Sequence, residues 1–319
     1  MEATRHTLPS LEIGRYRFTF QADEPIQMAH FPGSAWRGAL GHALRRAACV
    51  TRQKDCPACL LYRSCAYAWI FETPPPPDSA KMRRYPHAPH PFILEAPYAD
   101  GEHTYSLGLH LVGQANRHLG LLIHALTQAA EHGVARNSLS LVQVEQQTGQ
   151  QVEGESWQTI FTAGGALTAL PNRPIAFPPA PPAVQIELLT ALRLKHHDKI
   201  VSPNTFTFYD LFANLLRRVS MLSYFHGDTP LETDFAGLTE AARAIPVEAN
   251  LSRQTQHRYS SRQGQAMEFD GLIGSFTIRD VDLAPFWPYL WLGQWLHAGH
   301  NATMGLGQYR LTDHPLTSL

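Results

Sequence analysis

"LPNRPIAFPPAPPA" (residues 170–183) divides the chain, because six of its fourteen residues are proline. Proline fixes φ and lacks an N–H, so such a run continues neither a helix nor a central strand and reads as a boundary. Before it, "LEIGRYRFTFQA" (11–22) alternates in the strand manner, with Tyr16, Phe18 and Phe20 on one face. "SAWRGALGHALRRAA" (34–48) has a helical period instead. Trp36, Ala39, Leu40, Ala43, Leu44 and Ala47 form its apolar stripe, opposite Gly38, His42, Arg45, Arg46 and Cys49. After the extended break "TPPPPDSA" (73–80), strands are predicted at 91–97 and 105–113, a helix at 116–133 and a strand at 138–146.

Beyond the proline run the order recurs. A strand is expected at 184–194, a helix at 208–225, strands near 257–262 and 268–279, a helix at 284–298 and a closing strand at 307–311. A doubled βαββαβ order predicts an α+β protein of tandem ferredoxin-like, RRM-like domains. We place the first at 1–175, with a four-cysteine insertion at 49–65, and the second at 176–319, carrying a glycine-rich loop. The two halves repeat in pattern only, not in sequence.

With 44% hydrophobic and 17% charged residues, the 319-residue chain reads as globular rather than disordered. No apolar run approaches the roughly 20 residues of a membrane span. "MEATRHTLPSLEIG" (1–14) has no apolar leader core, so a cytoplasmic location is expected. The net charge of −1 conceals a segregation. Residues 1–94 hold 12 Lys/Arg against 7 Asp/Glu, and the remainder 14 against 20. Of the basic residues, 22 are Arg and 4 are Lys, and Arg suits bidentate contacts to phosphate. Arg37, Arg45, Arg46, Arg52, Lys54 and Arg63 concentrate near the first helix, as a basic patch for an anionic partner would.

Cys49, Cys56, Cys59 and Cys65 are all the cysteines of the chain, spaced C-x6-C-x2-C-x5-C. Four thiolates within 17 residues suit a closed tetrahedral zinc site, structural rather than catalytic, with an iron–sulfur cluster or scattered thiols as alternatives. His42 shares a helix face with Arg45 and Arg46. An imidazole beside guanidinium groups has the parts for phosphodiester chemistry, a proton carrier and a stabiliser of charge. His30, His196 and His197 are rivals. In "HAGHNATMGLGQYRL" (297–311), glycines would let backbone amides approach an anion, among the polar side chains of His297, His300, Asn301 and Thr303. Gly305-Leu306-Gly307 lacks a third glycine and no Gly-Lys-Ser/Thr follows, so it is not a nucleotide-binding fingerprint.

Together "FPGSAWRGALGHALRRAACV" (31–50), "CPACLLYRSCAYAWIFE" (56–72) and "LHAGHNATMGLGQYRL" (296–311) resemble the CRISPR precursor-RNA processing endoribonucleases of the RAMP superfamily. "GLIGSFTIRDVDLAPFWPYL" (271–290) adds weaker support, and residues 140–255 match in layout only. The resemblance implies a nuclease that needs no metal for its chemistry. The 2′-hydroxyl beside the scissile phosphate attacks, leaving a cyclic phosphate and a 5′-hydroxyl. It places His42 as general acid or base with Arg46 beside it. Repeat RNA would be bound by Arg37, Arg45, Lys54, His300, Asn301, Thr303, Gly305 and Gly307. The lysine that often assists the histidine is replaced here by arginines, with Lys54 further on. Partners implied are the CRISPR repeat or guide RNA and other CRISPR effector subunits, with no membrane. Some relatives have lost the histidine and only bind RNA, so a non-catalytic RNA-binding subunit is the second reading.

Overall fold

The computed structural model describes residues 7–29, 31–79, 81, 87–97, 101–149, 156–196, 199–260 and 265–313. The chain forms two compact units. One comprises Glu12–Arg173 with Phe225–Asp228, and the other Pro174–Tyr224 and Thr229–Leu319 with the residues up to Leu11.

In the first unit, β1 (Ile13–Gln21) turns Tyr16, Phe18 and Phe20 into the core, as its alternation predicts. Helix α1 (Pro32–Ala48) starts at a proline, whose missing N–H has no partner to lose in a first helical turn. It buries Trp36, Leu40, Ala43 and Leu44; Trp36 stacks on Tyr105 at 5.8 Å and meets Phe20 at a tilt, 5.1 Å away. Strands β2 (Phe92–Glu95) and β3 (Thr104–Val112), helix α2 (Leu119–His132) and strand β4 (Ser140–Gln147) complete the predicted order. Strand β5 (Trp157–Thr162), not anticipated from the sequence, lengthens the edge. The sheet runs β2-β3-β1-β4-β5, antiparallel throughout, with Phe18 opposite Leu107 and Val144.

The second unit repeats the plan. Strand β6 (Ala183–Leu192) leads through a small ribbon, β7 (Lys195–His196) and β8 (Lys199–Ile200), to helix α3 (Phe208–His226) and then α4 (Phe235–Arg243). Strands β9 (Glu248–Ser260) and β10 (Gln265–Arg279), helix α5 (Trp287–Leu296) and strand β11 (Tyr309–Asp313) follow. The antiparallel sheet order is β11-β6-β10-β9. Phe286 meets Phe208 and Phe212 edge to face, Phe212 meets Tyr289 likewise at 5.5 Å, and Phe208 and Phe212 stack at 5.6 Å.

In each unit the first strand lies between the third and fourth strands of the βαββαβ plan (β3 and β4, β10 and β11), which is the ferredoxin-like arrangement expected. Strand β9 begins at Glu248 rather than near 257. It is an edge strand, polar and exposed on both faces from Ser252 to Thr255, so no alternation betrays it. Helix α4 and the β7–β8 ribbon were likewise not expected. Among the described residues no helix is long and apolar enough to cross a membrane.

Candidate nucleic-acid interface

Helix α1 presents the first group of residues. The face predicted to be polar is so: His42 and Arg46 are exposed, and Arg45 and Cys49 are half-buried. Ala47, expected in the stripe, is exposed instead, because the helix ends one residue later and leaves the core. Gly41 lies against the Phe71 ring, where a Cβ would come within 2.5 Å of Cζ. That close approach seats Phe71 beneath Arg37, whose guanidinium stands 4.5 Å over the ring.

The arginines of this helix have different duties. Arg45 Nη2 donates to the carbonyls of Gln53 and Lys54 at 2.7 and 2.8 Å, and the guanidinium sits 5.7 Å over Tyr67. It braces the turn after the helix, whereas Arg46 stays exposed beside His42. Lys54 is exposed at the tip of that turn.

The glycine-rich loop is built otherwise than expected. Residues 304–307 are buried, and the glycine amides are occupied within the protein. Gly305 N–H donates to the Ala302 carbonyl at 2.9 Å and Gly307 N–H to the Ala191 carbonyl at 3.0 Å. Ala298 N–H returns to the Gly307 carbonyl at 2.9 Å, and Thr190 Oγ1 donates to the Gly305 carbonyl at 2.7 Å. Gly305 and Gly307 have φ of 85° and 72°, a region that favours glycine. A Cβ on Gly307 would fall 1.8 Å from the Ala298 carbonyl oxygen. These two glycines therefore do not offer their amides to an anion. They form a stiff backbone knot that carries His300, Asn301 and Thr303 on its outer side, where His300 is exposed and the other two are half-buried. His297, by contrast, is fully buried.

Cations gather round that outer side. Partial desolvation, then the charges of Lys195, Arg193 and Arg217, hold the His300 imidazole below its ordinary range. Arg218 on α3 donates from Nε to the Leu296 carbonyl at 2.8 Å, at the point where α5 gives way to the loop. Desolvation pushes its guanidinium down to about 10, so it remains charged at neutral pH. Arg218 Nη2, Arg193 Nε and Asn301 Nδ2 are buried and find no acceptor among the described residues. Each such donor costs about 1–3 kcal/mol unless an acceptor, such as water or a phosphate oxygen, meets it. The sequence reading missed Arg193, Lys195, Arg217 and Arg218. Its available signal was the basic run "RLKHHDK" (193–199) beside "RR" at 217–218.

Of the rival histidines, His196 lies with Nδ1 2.7 Å from Asp210 Oδ1. The same buried carboxylate accepts from the Thr207 N–H and hydroxyl at 3.0 and 2.8 Å, a capping arrangement at the start of α3. His30 and His197 lie outside the described residues. The four cysteines, all half-buried, line a single cavity of about 180 Å³ after α1.

Comparison with known proteins bears on the fold and the domain families. Residues 11–173 match the family model of the AF_1859_N N-terminal domain, and residues 186–309 that of the CRISPR-associated endoribonuclease Cas6. No curated protein matches the sequence. Among solved structures, a Cas6 product complex is 16% identical with a TM-score of 0.56, over 94% of this chain and 99% of that one. A Thermus thermophilus Cas6 is 16% identical with a TM-score of 0.50, over 95% and 99%. A Cas6-RT-Cas1–Cas2 complex is 15% identical with a TM-score of 0.53, over 98% of this chain and 30% of that one. At these identities the structural likeness is one of fold, while the two family models together span nearly the whole chain. The chain belongs, over residues 11–173, to the AF_1859_N domain family, and its residues 186–309 match the CRISPR-associated endoribonuclease Cas6 model.

Proposed function

We propose that this protein binds CRISPR repeat RNA and cleaves it to release guide RNAs, without a metal in the chemical step. The observation that carries the reading is the pairing of His42 with Arg46 on the exposed face of α1, one turn apart, with the opposite face locked into the core. In the proposed reaction the 2′-oxygen attacks the adjacent phosphorus and its proton passes to a base. The bond from phosphorus to the 5′-oxygen breaks, and the departing oxygen takes a proton from an acid. The products are a 2′,3′-cyclic phosphate and a 5′-hydroxyl. His42 serves as proton carrier, and Arg46 offsets the charge that builds on the phosphoryl oxygens.

RNA affinity is assigned to two groups of side chains. Arg37, Arg46 and Lys54 act at α1 and the turn after it, and Arg193, Lys195, Arg217, His300, Asn301 and Thr303 act at the glycine-rich loop. Phosphate contacts of this kind supply most of the affinity and make it salt-dependent. Acting in the cytoplasm, the product complex would hand its guide RNA to other CRISPR subunits.

A second reading, an RNA-binding subunit without catalysis, is favoured by one observation: Arg45, expected to serve RNA, is committed to the Gln53 and Lys54 carbonyls. The deciding experiment incubates the full chain with repeat RNA from its own array in the presence of chelator. Cleavage to a cyclic phosphate end, abolished by a 2′-deoxy substitution at the cut, supports the nuclease. Tight binding of intact RNA without cleavage supports the binding subunit.

A further inference from the structure

We propose that Cys49, Cys56, Cys59 and Cys65 bind one zinc ion as four thiolates, and that this ion fixes the turn that follows the His42 helix. Every cysteine of the chain lies in this segment, and all four residues line the same cavity of about 180 Å³. The backbone is already folded as a knuckle. Cys59 N–H donates to the Cys56 carbonyl at 3.0 Å, Tyr62 N–H to the Cys59 carbonyl at 2.9 Å and Cys65 N–H to the Leu61 carbonyl at 2.8 Å. Cys49 is joined to the end of α1 through its N–H, 2.9 Å from the Arg45 carbonyl.

The donor set is selective. Residues 49–65 hold no histidine and a single carboxylate, Asp55, which is exposed, so soft sulfur ligands dominate the cavity. Four thiolates suit Zn²⁺, leave no position open to substrate, and make the ion structural. A tetrathiolate zinc carries two negative charges. The Arg45 guanidinium, whose charge acts on Cys49 and Cys56, offsets part of this.

Packing alone gives this turn little support. Leu60 is 86% exposed and Val50 78%, so neither large apolar side chain is buried, while Cys56 and Cys65 rest against the core. Ordering an irregular segment costs about 1–2 kcal/mol per residue, which a metal cross-link would offset. The sulfurs are not yet gathered: among the described residues, no three cysteines form a compact ligand set. The Thr51 hydroxyl stands 3.3 Å from Cys59 Sγ and 3.9 Å from Cys49 Sγ. Metal capture therefore draws the sulfurs together and displaces the Thr51 hydroxyl from Cys49 and Cys59. Binding and local ordering are coupled.

The test uses the full chain purified without chelator and reads metal rather than RNA cleavage, so it stands apart from the nuclease assignment. Elemental analysis should give one zinc per chain, and added Zn²⁺ should protect all four thiols of metal-free protein from alkylation. Cobalt substitution should give a tetrahedral spectrum with thiolate charge transfer. Cys56→Ser and Cys59→Ser should each lower zinc content severalfold, and Cys59, at the exposed end of the knuckle, is the substitution less costly to the fold. Protein with no zinc whose thiols stay fully reactive after Zn²⁺ is added would overturn the proposal. So would folded Cys59→Ser that retains its full metal content, or two disulfides in place of the metal. Stoichiometric iron with sulfide would replace zinc by a cluster and overturn it equally.

Discussion

The amide of His300 donates to the carbonyl of Arg193 at 2.8 Å, so the backbone that carries the loop's exposed imidazole is tied to the backbone that carries one of its cations. Strand β6 ends one residue before Arg193, and the loop passes beside it. The proposed function assigns both Arg193 and His300 to RNA, and this hydrogen bond fixes their backbones in register. Arg193→Ala and Arg217→Ala are each expected to weaken repeat-RNA binding and to reduce the slope of log affinity against log salt by roughly 1. Filter binding across a salt series measures this, and an unchanged slope in both variants would remove the loop from the interface.

The depressed His300 pKa gives this site a pH signature. The folded protein releases the imidazole proton below the ordinary value of 6.5, so between those two values the unfolded chain holds more protons. Stability then rises with pH through that window, and is lost as pH falls from 6.5 toward the folded value. His300→Gln should flatten that part of the stability curve. A bound phosphodiester reverses the sign of the local field and should raise the imidazole pKa. Imidazole resonances titrated with and without RNA would show whether it does.

Glycine substitutions separate structural from exposed positions. Gly307→Ala places a Cβ against the Ala298 carbonyl at a positive φ, and should cost about 1–3 kcal/mol or more of stability. Gly305→Val falls in the same buried knot and is expected to disturb the fold, not only RNA affinity. Gly38→Ala, by contrast, meets nothing within 4 Å on α1 and should stabilise by about 0.5–1 kcal/mol. Thermal denaturation of the three variants side by side checks the ordering.

Arg45 and Arg46 are neighbours in sequence and should differ in kind. Arg45→Ala removes two hydrogen bonds to the Gln53 and Lys54 carbonyls, and is expected to cost about 1 kcal/mol of stability while loosening the cysteine turn. Arg46→Ala should leave the melting temperature within a degree or so and lower both RNA affinity and cleavage, since its charge attracts ground state and transition state alike.

The sequence made most of the fold legible, because each unit's first strand and first helix bury one face cleanly. Tyr16, Phe18 and Phe20 show the period of two, and Trp36, Leu40, Ala43 and Leu44 the helical one. Elements that lack such contrast were hidden. Strand β9 is polar on both sides, and β5 exposes Gln158, Thr159 and Thr162 at a sheet edge. The site divided in the same way. His42 and Arg46 could be placed from helical phase alone. The cations round His300 come from the link between β6 and β7, from β7 and from α3, which only the folded chain brings to the loop. The glycines misled because a glycine-rich loop reads as open to ligand, whereas Gly305 and Gly307 spend their amides on carbonyls that no local pattern reveals.

His42 offers the sharpest test of catalysis. It is exposed, stands one turn from Arg46, and belongs to a helix whose buried face fixes its position. If it moves a proton in the transition state, His42→Ala should slow single-turnover cleavage by about 10²–10⁴, or roughly 3–5 kcal/mol. Affinity for uncleaved RNA should change little, because a neutral imidazole adds little to backbone electrostatics. The fold should persist, since the side chain makes no part of the core. Measuring the cleavage rate under saturating enzyme separates chemistry from binding. A rate near wild type would move the proton carrier elsewhere, first to His196, whose Nδ1 is held by the buried Asp210 carboxylate at 2.7 Å. In that event Asp210→Asn should slow cleavage by disturbing the imidazole's tautomer, and His42→Ala combined with it should add nothing further.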